Sequence, residues 1–235
     1  MNKGTLYLIP CPIAETSPFD VLPSANASVM ASLDYFIVEN VRSARRFLSS
    51  AKLGHPIEEL EFAELNEHTR PQEIEQLIKP LLAGRNAGVI SEAGVPGVAD
   101  PGADVVALCH RHGIKVVPLV GPSSILMAMM ASGLNGQSFA FNGYLPVKLP
   151  EQINAIRHFE KRAQTERQSQ IFIEAPYRNA KLFEELLSVC SPTTQLCVAC
   201  DISGPEEFIA TATVKEWKNR TRPEINKRPA IFIIL

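Results

Sequence analysis

SEAGVPGVADPG, residues 91–102, is the stretch on which the fold reading turns. It follows Ala87-Gly88-Val89-Ile90, short and apolar like a buried strand, and leads into Ala103-Asp104-Val105-Val106-Ala107-Leu108-Cys109, which reads as a helix. A glycine-rich turn between strand and helix is the usual form of a phosphate cradle. Here the glycines fall at 94, 97 and 102, so dinucleotide spacing is absent. The turn also carries Glu92 and Asp100, with Asp104 one helical turn on. Carboxylates beside a helix start repel pyrophosphate, which needs donors and positive potential. A neutral or cationic ligand fits better, and S-adenosylmethionine has the required chemistry. Its sulfonium is positive, its ribose hydroxyls donate to carboxylates, and its adenine and amino-acid ends bind backbone groups.

Outward from that turn, strands and helices alternate. Residues 5–9 are a short apolar strand and residues 34–39 a second; 41–52 form a helix with a basic face. Thr69 and Gln72 form a capping-box pattern, with Ile74, Leu77, Ile78, Leu81 and Leu82 as the buried stripe and Pro80 predicted to kink its end. A helix over 101–112 and a strand over 115–120 complete βαβ units, hence a mostly parallel sheet with helices on both faces. After Gly121 the texture changes. Residues 122–132 are apolar nearly all round, which points to burial between layers or subunits. Strands are predicted over 138–144, 170–174, 195–202, 207–214 and 230–235, with helices over 151–163 and 176–190. The closely spaced last strands indicate a mixed sheet. The expected fold class is α/β: an N-terminal α/β domain over 1–120 and a C-terminal α/β domain over 121–235.

Composition narrows the chemistry. At 235 residues and 46% hydrophobic content, the chain can bury a sizeable core, and a net charge of −2 gives no global bias towards nucleic acid or membrane. Five cysteines (Cys11, Cys109, Cys190, Cys197, Cys200) form an odd set in a long chain, as expected of reduced thiols in a cytoplasmic protein. The opening MNKGTLYLIPCPIA has an apolar core broken by Pro10 and Pro12, so it reads as a first strand and proline turn, not a signal peptide. No run reaches transmembrane length. Cys197 and Cys200 match CxxC, but in a strand that spacing points the thiols to opposite faces, so buried structural cysteines are expected. His110 and His112 close a helix, where cationic side chains suit the dipole, and no metal is expected. Sequons at Asn26 and Asn219 are chance matches in a cytosolic chain, and no Ser-His-Asp pattern with a nucleophile elbow, Walker A or GxGxxG occurs.

ISEAGVPGVADPG resembles the (S)DAGxPxxxDPG signature of the tetrapyrrole-methylase superfamily, specifically its ribosomal-RNA cytidine 2′-O-ribose methyltransferase branch. GTLYLIPCPIA (4–14) is similar to the family's opening strand and proline turn. GPSSILMAMMASGL (121–134) with FAFNGYLP (139–146) resembles GPSA…ASGL…FxGFLP. IFIEAPYR (171–178) is similar to the ExPhR segment, and RPAIFII (228–234) to the closing strand. Five ordered motifs span almost the whole chain. Three departures stand beside them. The RNA-modifying relatives carry an acidic-Asp-Thr-Arg motif where this chain has Glu39-Asn40-Val41-Arg42, Glu92 stands where Asp is usual, and this sequence ends at the last strand, without the short C-terminal extension typical of those enzymes.

The resemblance implies two α/β domains with cofactor and acceptor in the cleft between them, working as a homodimer. It implies S-adenosyl-L-methionine against Pro10, Glu92, Ala93, Gly94, Val98, Ser123, Ser124, Ile125, Ile173, Ala199, Pro229 and Ala230, most of them at or beside strand ends, where open α/β sheets bind ligands. Methyl transfer is an in-line displacement needing positioned reactants and a polarised hydroxyl. Glu39 is the candidate carboxylate with Arg42, and Glu174 beside Arg178 is a second pair; which group is the base stays open. Basic residues Arg42, Arg45, Arg46 and Lys52, with Lys215, Lys218, Arg220 and Arg222, supply the local patches a ribosomal RNA substrate requires, or ordinary solvated faces. A tetrapyrrole-like small-molecule acceptor and a non-catalytic cofactor-binding protein remain as alternatives.

Overall fold

The computed structural model describes residues 2–54, 56–66 and 69–235. By internal contacts the chain forms two compact units, Met1–Ser123 and Ser124–Leu235.

In the first unit the elements are β1 (Thr5–Ile9), α1 (Pro18–Val21), α2 (Ala25–Ala31), β2 (Tyr35–Val38), α3 (Val41–Ser50), β3 (Glu61–Glu64), α4 (Pro71–Leu77), α5 (Lys79–Leu82), β4 (Ala87–Ile90), α6 (Ala103–Arg111) and β5 (Lys115–Pro118). The sheet order is β3-β2-β4-β1-β5, and every pairing is parallel. Strand alternation sorts the core into two layers. Leu6, Tyr35, Ile37, Ala87 and Val89 pack with α4, α5 and α6. Ile9, Phe36, Val38 and Ile90 pack with α2 and α3 through Met30, Ala44 and Leu48. The expected parallel sheet with helices on both faces is the one observed.

Two local expectations change. The helix after residue 70 is capped at Arg70, whose N–H donates to Glu73 Oε2 at 2.7 Å. The Thr69 hydroxyl instead accepts from the Asn66 N–H at 2.9 Å, so it closes the preceding turn rather than the helix. Strand β3 was not foreseen, since EFAE is short and half acidic. It forms because parallel pairing to β2 is backed by Arg85, which bonds Asp34 and Glu61 and lies over the Tyr35 ring at 5.1 Å. Pro80 acts as expected: α4 ends at Leu77 and a separate short helix, α5, begins at Lys79.

The second unit runs α7 (Ser124–Ser132), β6 (Phe139–Tyr144), α8 (Leu149–Glu166), β7 (Ser169–Ile173), a short 3-10 turn (Pro176–Arg178), α9 (Asn179–Val189), β8 (Gln195–Cys200), β9 (Phe208–Thr213), α10 (Val214–Lys218) and β10 (Ala230–Ile234). Its sheet order is β6-β7-β10-β8-β9, parallel only between β6 and β7, hence mixed as read. One face carries Phe172, Leu196, Val198, Phe232 and Ile234 against α8, α9 and α10, with Trp217 Nε1 donating to Leu196 O at 2.8 Å. Helix α7 packs against β8, β9 and β10, and Thr211 Oγ1 donates to Ser132 O at 2.7 Å. All five cysteines are free and buried, and Cys200 belongs to the helix-covered core whereas Cys197 does not.

Candidate functional site

Parallel strands place their carboxyl ends on one edge of the sheet, and the β4-β1-β5 order puts three loops side by side there. After β1, Cys11 forms an isolated antiparallel bridge with Gly94: Cys11 N donates to Gly94 O at 2.8 Å, and Gly94 N to Cys11 O at 3.1 Å. After β5, Gly121 lies against the Pro10 ring so closely that an added Cβ would sit 2.3 Å from Pro10 Cβ. Asn26, buried, donates from Nδ2 to Val120 O at 2.8 Å and holds that strand end in place. Pro10, Glu92–Gly94 and Gly121–Ser123 are therefore brought together in the first unit.

The loop after β4 keeps a shape that few residues allow. Gly94 (φ +71°), Gly97 (φ +80°) and Gly102 (φ +132°) are left-handed, and so is Ala99 (φ +61°). Gly94 spends both its backbone polar groups on Cys11, so it positions the loop rather than offering donors. By contrast the N–H groups of residues 92, 93, 95 and 97 bond no protein acceptor among the described residues. Glu92, Ala93 and Val98 are exposed. Unclaimed donors beside carboxylates suit a ligand with one anionic end and one cationic centre, which S-adenosylmethionine has. The site residues fit that cofactor.

The acids form a cluster across neighbouring strand ends, because β2 lies next to β4 and Glu39 follows β2. The Asp100 carboxyl is pushed up to about 6, by burial first and then by the negative charges of Glu39 and Glu92. The Cys11 thiol is pushed up to about 12 by burial, with Glu92 and Asp100 adding to it, so it is a neutral packing group. Asn40 caps α3, its Oδ1 accepting from Ser43 N at 3.1 Å. The ENVR variant of the family motif thus keeps a helix start after β2, and it places Arg42, exposed, in the first turn.

In the second unit, β7 and β8 flank β10, so Ile173 and Ala199 both pair with Ile231 and lie beside Ala230. Ala199 is fully buried in the ladder between β10 and β9 and offers a ligand no surface. Glu174, buried, accepts from Arg178 Nη2 at 2.6 Å and from Ala175 N at 2.7 Å. Pro229 is exposed and takes the Asp201 N–H at its carbonyl, while Ser124 and Ile125 open α7. Of the C-terminal basic cluster, Arg222 is committed to Glu184 and to Trp217 O, with Phe183 beneath it. Sequence reading passed over a cavity of about 400 Å³ in the first unit, lined on one side by Ser43, Arg46, Phe47 and Ser50 of α3. Their i, i+3, i+4, i+7 spacing was the available signal. Among the described residues no group of three or more His, Cys, Asp or Glu side chains could hold a metal, and no helix is long and apolar enough to cross a membrane.

Comparison with known proteins agrees with this architecture. The family model for Tetrapyrrole (Corrin/Porphyrin) Methylases matches residues 26–218. The chain is 30% identical over 98% of its length to "Ribosomal RNA small subunit methyltransferase I" of Vibrio cholerae serotype O1, covering 76% of that protein. It is 28% identical over its full length to the protein of the same name from Escherichia coli O157:H7, covering 78% of it. Among solved structures, the methyltransferase CobJ superposes with a TM-score of 0.63 at 16% identity over 98% of this chain and 93% of that one, which speaks for the fold alone. With the glycine-bent loop, the proline turn and the mixed second sheet all in place, the chain belongs to the tetrapyrrole (corrin/porphyrin) methylase family and is a methyltransferase.

Proposed function

We propose that this enzyme transfers a methyl group from S-adenosyl-L-methionine to a ribose 2′-hydroxyl of small-subunit ribosomal RNA. The observation that carries the reading is near full-length likeness to relatives named for that RNA, with the loop over 91–102 shaped for a ligand of mixed charge. Pro10, the backbone over 92–98 and Ser123 would hold the cofactor in the first unit. When bound, the cofactor supplies a methyl group on a positively charged sulfur. The chain's residues keep the hydroxyl in line with that methyl, take up the hydroxyl proton and neutralise phosphate charge. Glu39, which shares the acidic cluster with Glu92 and Asp100, is the carboxylate to which this reading gives the proton. Glu174 already holds Arg178 and acts through it on substrate. Work on ribosomal RNA would place the enzyme in the cytoplasm.

The reading includes a homodimer. Leu126 and Met130 on α7 are 52% and 83% exposed, and Phe139 on the edge strand β6 is exposed as well, apolar side chains that a partner subunit would cover. The functional test is transfer of label from tritiated cofactor into total RNA compared with a small-metabolite extract. Label in RNA is expected. Label confined to small molecules would move the acceptor to a tetrapyrrole-like compound, and none in either would leave a cofactor-binding protein. In calorimetry S-adenosylmethionine should bind and NAD should not; equal or tighter NAD binding would overturn the loop argument.

A further inference from the structure

We infer that the cavity between α3 and the loop after β1 is the seat of the nucleotide to be methylated, with Arg46 on its phosphate. This rests on the RNA reading above and names the subsite within it. The cavity is about 400 Å³, within the range of small-molecule sites and large enough for one nucleotide. Its position ties it to the chemistry, because Glu92 belongs both to its wall and to the loop that fits the cofactor, so an occupant lies beside the methyl donor.

The lining matches a nucleotide group by group. Arg46 is a cation in the wall and pairs with no acid among the described residues, so its guanidinium is free for a phosphate. Phe47 and Pro12 give flat apolar surface for a base. Glu15 and Glu92 accept from an exocyclic amine or a ribose hydroxyl, and Ser43 adds a hydroxyl. A single cation set among acids and apolar surface selects one nucleotide taken out of its stack, and does not track a duplex backbone. Neighbouring Arg45 serves elsewhere, its guanidinium lying 5.3 Å from the Phe62 ring centre, so it makes a control of like charge on the same helix.

The experiment measures KM for a small-subunit RNA substrate, and affinity for cytidine 5′-monophosphate by NMR titration, in wild type, Arg46→Ala, Arg46→Lys, Ser50→Trp and Arg45→Ala. Arg46→Ala should raise KM and weaken nucleotide binding at least tenfold, Arg46→Lys should recover part of it, and Ser50→Trp should block the cavity without changing charge. Arg45→Ala should change KM far less, and S-adenosylmethionine affinity, measured by calorimetry, should stay unchanged in all four. The inference is overturned if Arg46→Ala and Ser50→Trp bind nucleotide and methylate RNA as wild type does, or if wild type methylates RNA but shows no nucleotide binding. Absence of RNA methylation by wild type would overturn the function reading itself, a separate outcome.

Discussion

Asp100 shows how a single residue connects stability to function. Its carboxyl rises from 3.8 to about 6 because it is half-buried among Glu39 and Glu92. The folded protein therefore keeps that proton to higher pH than the unfolded chain. The stabilising contribution is full below about pH 4 and is lost as pH rises through about 6. Asp100→Asn should raise Tm at pH 8 and leave it nearly unchanged at pH 3, below both values, while weakening S-adenosylmethionine binding by removing negative charge near the loop. Equal Tm values at pH 8 would remove the repulsion from the account. Gly94 sets the backbone counterpart. A Cβ there meets nothing closer than Ile13 Cγ2 at 3.5 Å, but φ is +71°, so Gly94→Val should cost about 1–2 kcal/mol in conformation and break the bridge to Cys11. Loss of cofactor binding in calorimetry is the expected result. The glycines and acids of this loop were legible in the sequence because their chemistry is local. The sharing of charge between Glu39, Glu92 and Asp100 was not, because it depends on β2 lying next to β4.

At the scale of elements, helix α3 carries most of what the candidate site adds. Asn40 caps it through Ser43 N at 3.1 Å, so Asn40→Ala should cost about 1 kcal/mol in thermal or urea unfolding, whereas Asn40→Asp should be neutral or better. A larger loss for the Asp variant than for Ala would show that the acidic cluster already reaches the helix start. Strands β1 and β4 and the helices with clear stripes were read from sequence, because a buried parallel strand is a continuous apolar run. The short α1 and α2 and the acidic β3 were not. Their stabilisation comes from tertiary partners: Met30 packed under the sheet, and Arg85 clasping Asp34 and Glu61. Thr69 misled because its hydroxyl had a competing nearby donor, the Asn66 N–H. The cavity beside α3 was present in the sequence as a helical stripe, but a stripe does not tell solvent from a hollow.

For the whole molecule, the net charge of −2 leaves RNA binding to local patches, and Arg222 is withdrawn from the C-terminal one by Glu184. The exposed arginines of α3 carry the remaining argument. Arg46→Glu should weaken RNA association and flatten its salt dependence while S-adenosylmethionine affinity holds, which filter binding at several salt concentrations would report. Assembly is a separate matter: sedimentation at micromolar concentration should show a dimer, and Met130→Glu should shift it towards monomer, whereas a wild-type monomer would contradict the interface assigned to α7. The central claim, ribose methylation of small-subunit RNA, is tested most directly by mass spectrometry of nucleosides. Small-subunit RNA incubated with enzyme and S-adenosylmethionine would be digested and compared with an enzyme-free control. A 2′-O-methylated nucleoside, cytidine by the family resemblance, is the expected gain, whereas RNA that gains a methyl group only on a base, or none at all, would contradict the account.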